Sequence, residues 1–194
     1  MSALSLSGEW STYMASPLSY RHGKPDQLLA GWIFHYQLVT SGTDGASNAT
    51  TMFDDYGEPQ PDQHLRIIEE AGGRSRIVDD YLVGPPELIV EVGFSSRRYD
   101  LGPKKLDYER AGVAEYLFAG VDPEEVIWYV FREGRYVELP PGDDGLIRSE
   151  VFPGLWLDPE ALLAVDRPAL IASLNRGLAT QEHAAFVPRL GGVR

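Results

Sequence analysis

The chain has 194 residues and no cysteine, with 43% hydrophobic and 24% charged residues, the proportions of a soluble globular protein with room for a proper core. A chain without cysteine has no disulfide, no thiolate metal site and no thiol nucleophile, which is compatible with a cytoplasmic location. The formal net charge of −12 argues against a general nucleic-acid-coating protein, and no apolar run is long enough to span a membrane.

The first 17 residues are small and polar. Residues 25–39 carry Leu28, Leu29, Trp32, Ile33, Tyr36 and Leu38 at spacings of three and four, which predicts an amphipathic helix. A Gly/Ser/Thr/Asn-rich stretch over 40–51 reads as a loop, followed by a short strand over 51–56 and a turn over 57–61. Residues 62–68 alternate with period two and predict a strand beginning at or near Asp62. Gly72-Gly73 marks a turn, and 75–83 reads as a short strand and a loop.

Residues 85–120 organise the rest. Leu88 to Val92 form an apolar run bounded by Pro85-Pro86 and Gly93, a buried strand by pattern. Glu91 sits inside it, where a carboxylate is costly unless paired or bound to a metal. A helix is expected after Asp100 as N-cap, with Pro103 in its first turn and Gly112 closing it. Val113 to Phe118 return as a strand, completing a βαβ crossover and requiring a parallel strand pair. Asp100, Lys104 and Tyr108 lie four apart on one helix face. Five basic residues face three acidic ones between 95 and 110, so positive charge is concentrated beside Glu91 and an anion is expected at the helix start. A β-hairpin is predicted over 126–139, a strand over 146–151, and helices capped by Asp158, Asp166 and Thr180, the second running over 167–176 and closed by Gly177.

Two acids and a lysine, Asp62, Glu91 and Lys104, are what metal-dependent phosphodiester hydrolysis requires: oxygen ligands for a hard cation and an ammonium for developing negative charge. Each residue also has a plain structural reading. Asp62 can be a turn residue, Glu91 a buried partner of Lys104, Arg97 or Arg98, and Lys104 a solvated helix charge. His22 and His64 read as ordinary polar residues, His183 as part of a tail helix, and Trp32, Trp128 and Trp156 as core.

The ordered segments PQPD, VEV, YD-x-x-x-K-x-x-x-Y, AGV-x-EY and RSEVFPGLWLD resemble the Uma2 family, which is similar to restriction endonucleases in fold and belongs to the PD-(D/E)XK nuclease group. The resemblance implies a restriction-endonuclease-like α/β fold: a mixed central sheet flanked by helices, with an added hairpin and C-terminal helices. It implies one domain over 1–194, with a core of 17–164 and a helical extension of 165–194. It implies a Mg²⁺- or Mn²⁺-dependent endonuclease cleaving DNA, with Asp62 and Glu91 as metal ligands and Lys104 as the catalytic lysine. Asp100, Tyr108, Arg97 and His22 would support the site. In the broader nuclease group the lysine lies two residues after the acid. Here that position is Gly93, and the resemblance points to Lys104 instead. Many members carry Ser-Pro-Ser after the glutamate strand, where this chain has Phe94-Ser95-Ser96. The rival reading is a catalytically silent nucleic-acid-binding or protein-interaction module. A homodimer joined through the 126–139 hairpin is the expected assembly.

Overall fold

The computed structural model describes residues 20–53, 57–94 and 96–191, with side chains from residue 23 onward. The first helix, α1 (Tyr20–Val39), starts earlier than the apolar spacing suggests and holds Pro25 in its second turn. Its apolar face, Leu29, Trp32, Ile33 and Tyr36, is buried against one face of a six-stranded sheet.

That sheet runs in the order β1 (Thr43–Ser47), β3 (Gln63–Ile67), β6 (Leu88–Gly93), β7 (Glu115–Val121), β8 (Glu124–Arg132) and β9 (Arg135–Glu138). The β6–β7 pair is parallel, and its crossover is the helical segment of residues 97–111, as the βαβ pattern requires. The other neighbouring pairs are antiparallel. β1 corrects the loop expected over 40–51. Its sequence TDGAS has no apolar alternation, but its backbone pairs with β3 from Thr43↔Ile67 to Ser47↔Gln63.

A three-stranded sheet of β2 (Thr51–Met52), β5 (Tyr81–Val83) and β4 (Arg76–Val78) turns the segment read as strand and loop over 75–83 into a hairpin. A further pair, β10 (Ile147–Arg148) with β11 (Trp156–Leu157), brackets the loop between them. The chain ends in α4 (Pro159–Leu163), α5 (Arg167–Leu178) and α6 (Gln181–Arg189). Their N-caps are those read from sequence: Asp158, Asp166 and Thr180 accept from the N–H groups of Ala161, Ala169 and His183 at 2.9, 3.0 and 3.3 Å. Each such cap contributes about 1 kcal/mol. α5 runs through Gly177 to Leu178 rather than closing there, because Gly177 packs on the backbone of Gly154 and the indole of Trp156 where a Cβ would not fit.

Strand alternation sorts the sheet into two faces. Leu88, Val90 and Val92 of β6 join Leu117, Ala119 and Val121 of β7 under α1 and the C-terminal helices, where Leu170, Leu174, Phe186 and Leu190 complete the larger core. On the opposite face Ile89, Tyr116 and Phe118 pack with Phe53, Tyr108, Val113 and Tyr136. Glu91 lies on this second face.

Candidate active site

The register of the sheet brings the acids together. β3 and β6 pair as His64↔Ile89 and Gln63↔Val90, which brings Asp62, in the bend just before β3, to the part of β6 that holds Glu91. Asp62 closes the ladder with its side chain: its Oδ2 accepts the N–H of Val92 at 2.7 Å. Asp62 itself stands just before β3, where Pro61 and the strand start leave its carboxylate beside the next strand.

Glu91 is 3% exposed. The Lys104 ammonium lies 2.6 Å from its Oε1, and the Tyr108 hydroxyl donates to the same oxygen at 2.6 Å. Burial pushes the Glu91 carboxyl up to about 7; the Lys104 charge pulls it down, and the Asp62 charge raises it again. Burial and the neighbouring Glu91 charge hold the Tyr108 phenol far above its ordinary range, so it stays a donor. Asp100, also buried, has Oδ1 3.8 Å from the Lys104 ammonium, and its carbonyl accepts from the Tyr116 hydroxyl at 3.1 Å.

The helix that delivers Lys104 and Tyr108 differs from expectation. It begins at α2 (Arg97–Tyr99), passes through a wide π-type turn over Asp100–Lys104, and continues as α3 (Lys105–Ala111). Asp100 is therefore inside the helical run and is not its N-cap, and the free N–H groups of a helix start do not lie there. Pro103 has no N–H to donate, and Gly102 sits at φ −111°, ψ −110°, outside the helical region. Together they widen the turn. Gly112 ends α3 at φ 75°, as expected of a C′ glycine.

Gly93 explains why the lysine comes from this helix. It shares a face with Glu91 two residues on, but a Cβ there would lie 2.5 Å from Phe118 Cε2 and 3.1 Å from Asp100 Oδ2. The sheet has no room for a lysine at that position. Arg97 pairs instead with Glu125 on β8. His22 stands on α1, and its side chain lies outside the described residues.

Sequence reasoning missed two further buried carboxylates, both structural. Glu87 accepts the Ile67 N–H at 2.8 Å and the Arg74 N–H at 3.4 Å, fixing the turn after β3. Glu115, fully buried on β7, accepts the Ser149 hydroxyl and the Glu150 N–H, each at 2.6 Å, and the Val151 N–H at 3.3 Å. Both stand inside or beside apolar runs, the same signal that exposed Glu91. Also unread in the sequence is an open cleft of about 350 Å³, lined by Lys104 and Tyr108, the two partners of Glu91, together with Glu58, Gln60, Tyr99 and Asp107.

A metal is tested by the donor set. Among the described residues no group of three His, Cys, Asp or Glu side chains is arranged to hold one. Two neighbouring carboxylates still fit Mg²⁺ or Mn²⁺, because such a cation keeps several waters and needs only one or two protein oxygens. Burial is the main cause of the raised Glu91 pKa and the Asp62 charge adds to it; a cation would offset both.

A six-stranded mixed sheet with helices on its larger core face and a βαβ unit carrying Glu91 and Lys104 is the restriction-endonuclease-like fold expected from the sequence. Residues 8–160 match the Uma2 family, described as "Putative restriction endonuclease", and the chain belongs to that family. A "putative nuclease belonging to DUF820" from Anabaena variabilis, solved by crystallography, shares the fold at a TM-score of 0.62 and 14% identity, over 78% of this chain and 84% of that one. No curated protein matches the sequence. Among the described residues no helix is long and apolar enough to cross a membrane.

Proposed function

We propose that the protein is a Mg²⁺- or Mn²⁺-dependent endonuclease that hydrolyses DNA phosphodiester bonds at Asp62, Glu91 and Lys104. One observation carries this reading: the Asp62 carboxylate is hydrogen-bonded to the N–H of Val92, the residue after Glu91, and the Lys104 ammonium lies 2.6 Å from Glu91. Asp62 and Glu91 would hold the cation, which would supply a polarised phosphoryl oxygen and an activated water when bound. Lys104 neutralises charge developing on the phosphate. Tyr108 fixes the Glu91 carboxylate through Oε1, and Asp100 keeps the ammonium close. A homodimer across the free edge of β9, where Phe131 and Val137 are partly exposed, accompanies this reading; light scattering that gives a monomer at micromolar concentration removes the dimer.

The test is cleavage of single- and double-stranded DNA with Mg²⁺ or Mn²⁺ by wild type, Asp62→Asn, Glu91→Gln and Lys104→Met. Loss of cleavage in all three folded variants is expected. No cleavage by the wild type in either metal, together with no metal binding by calorimetry, would leave the silent binding module.

A further inference from the structure

We infer that the cleft beside Lys104 is a nucleobase pocket, so that the substrate presents an unpaired nucleotide bearing an exocyclic amine next to the scissile phosphate. This deepens the nuclease reading and rests on its nucleic-acid substrate.

The cleft holds about 350 Å³, room for a single base. Tyr99 stands at its rim, 58% exposed and without a ring partner among the described residues. Its exposed ring offers a stacking platform. Besides Lys104 the cleft is lined by two carboxylates, Glu58 and Asp107, and by Gln60. Lys104 is itself paired with Glu91, and Asp107 with Arg110 at 3.5 Å, so the lining residues offer a phosphate no uncommitted cation, while the carboxylates and the Gln60 carbonyl can accept hydrogen bonds from an amine. Cytosine, adenine and guanine have such an amine; thymine does not. The phosphate would lie on the other side of Lys104, where a cation held by Asp62 and Glu91 would offset their charge, while the base turns into the cleft. In a duplex the base is stacked and its amine is paired, so it reaches the cleft only at the cost of unstacking. The net charge of −12 points the same way, because little basic surface is available to follow a duplex backbone.

The test measures binding apart from cleavage. Fluorescein-labelled, phosphorothioate-linked 12-mers of deoxycytidine and of thymidine, and a mixed-sequence duplex, are titrated with protein in Mg²⁺ and followed by anisotropy. Deoxycytidine should bind more tightly than thymidine, and the duplex at least about tenfold more weakly. Tyr99→Ala should weaken the deoxycytidine complex about tenfold, with Tyr99→Phe close to wild type. Phe34→Ala, an exposed aromatic on the helix of the opposite sheet face, should leave binding unchanged. Equal binding of duplex and single strand, no effect of Tyr99→Ala, or Tyr99→Phe as weak as Tyr99→Ala would each overturn the pocket. Thymidine bound as tightly as deoxycytidine would overturn the role of the amine. Cleavage of unmodified strands is scored separately: Tyr99-dependent binding without cleavage keeps the pocket and removes the nuclease, whereas cleavage with Tyr99-independent binding does the reverse.

Discussion

At the scale of single residues, Lys104 decides between chemistry and plain charge pairing. A buried carboxylate that loses its cation costs about 3–5 kcal/mol if it stays ionised. Glu91 already sits at about 7, and Lys104 is the strongest influence holding it down. Without that ammonium Glu91 keeps its proton to higher pH. The penalty of Lys104→Met should therefore be small near pH 6 and grow towards pH 8.5, as measured by urea denaturation. Its loss of cleavage should persist at pH 6.5, where the fold is intact. A variant with full cleavage would remove Lys104 from the chemistry. Gly93 is the second test at this scale. Gly93→Ala forces its Cβ against Phe118 and Asp100 and should cost about 1–3 kcal/mol, with a lowered denaturation midpoint.

At the scale of elements, Glu115 ties the loop before β11 to the middle of the sheet. Burial pushes its carboxyl to about 7, against the pull of the Ser149, Glu150 and Val151 hydrogen bonds. The folded chain therefore holds this proton more tightly than the unfolded chain, whose carboxyl titrates near 4.5. The stability Glu115 gains from that proton is full below about 4.5 and is lost as pH rises through 7, so the slope between pH 5 and 7.5 is negative. Glu91 adds a slope of the same sign. Glu115→Gln should flatten part of it in denaturation midpoints across that range. Glu115→Ala should cost about 3 kcal/mol, because buried N–H groups lose their acceptor.

The elements that sequence made legible are those with apolar period or a capping residue. The β6–helix–β7 unit, the β8–β9 hairpin and the three capped C-terminal helices all carry such a mark. β1 carried none, since Thr, Asp, Gly, Ala and Ser have no apolar period; the strand is held by its backbone pairing with β3 and by polar contacts such as Asp44–Arg66 at 2.9 Å. The start of the central helix was misplaced because Asp100 has the side chain of an N-cap, while Pro103 and Gly102 widen the turn around it. For the candidate site, Glu91 was legible as a charge in an apolar run and Lys104 by its spacing. The pairing of Asp62 with Glu91 depends on β3 lying next to β6, which no local pattern encodes.

At the scale of the whole molecule, the acidic surface limits how DNA can be held. A nuclease that follows many phosphates loses affinity steeply with salt, whereas a chain of net −12 gripping two or three should not. The slope of log K against log salt for a single strand should be no steeper than about −2, from two or three phosphates at about 0.7 each. Fluorescence anisotropy between 50 and 200 mM salt reads it directly. A slope near −6 would require a basic track across the surface.

The hydrogen bond from the Val92 N–H to Asp62 also gives the molecule an internal reporter. An amide proton held by a carboxylate shifts when that carboxylate is neutralised, and Val92 directly follows Glu91 in the chain. Its cross-peak in a ¹⁵N-correlated spectrum should thus move on titration with Mg²⁺, while amides of the distant α5 stay still. The strand that buries the acid would announce its occupancy through a backbone resonance, with no substrate present and no bond broken.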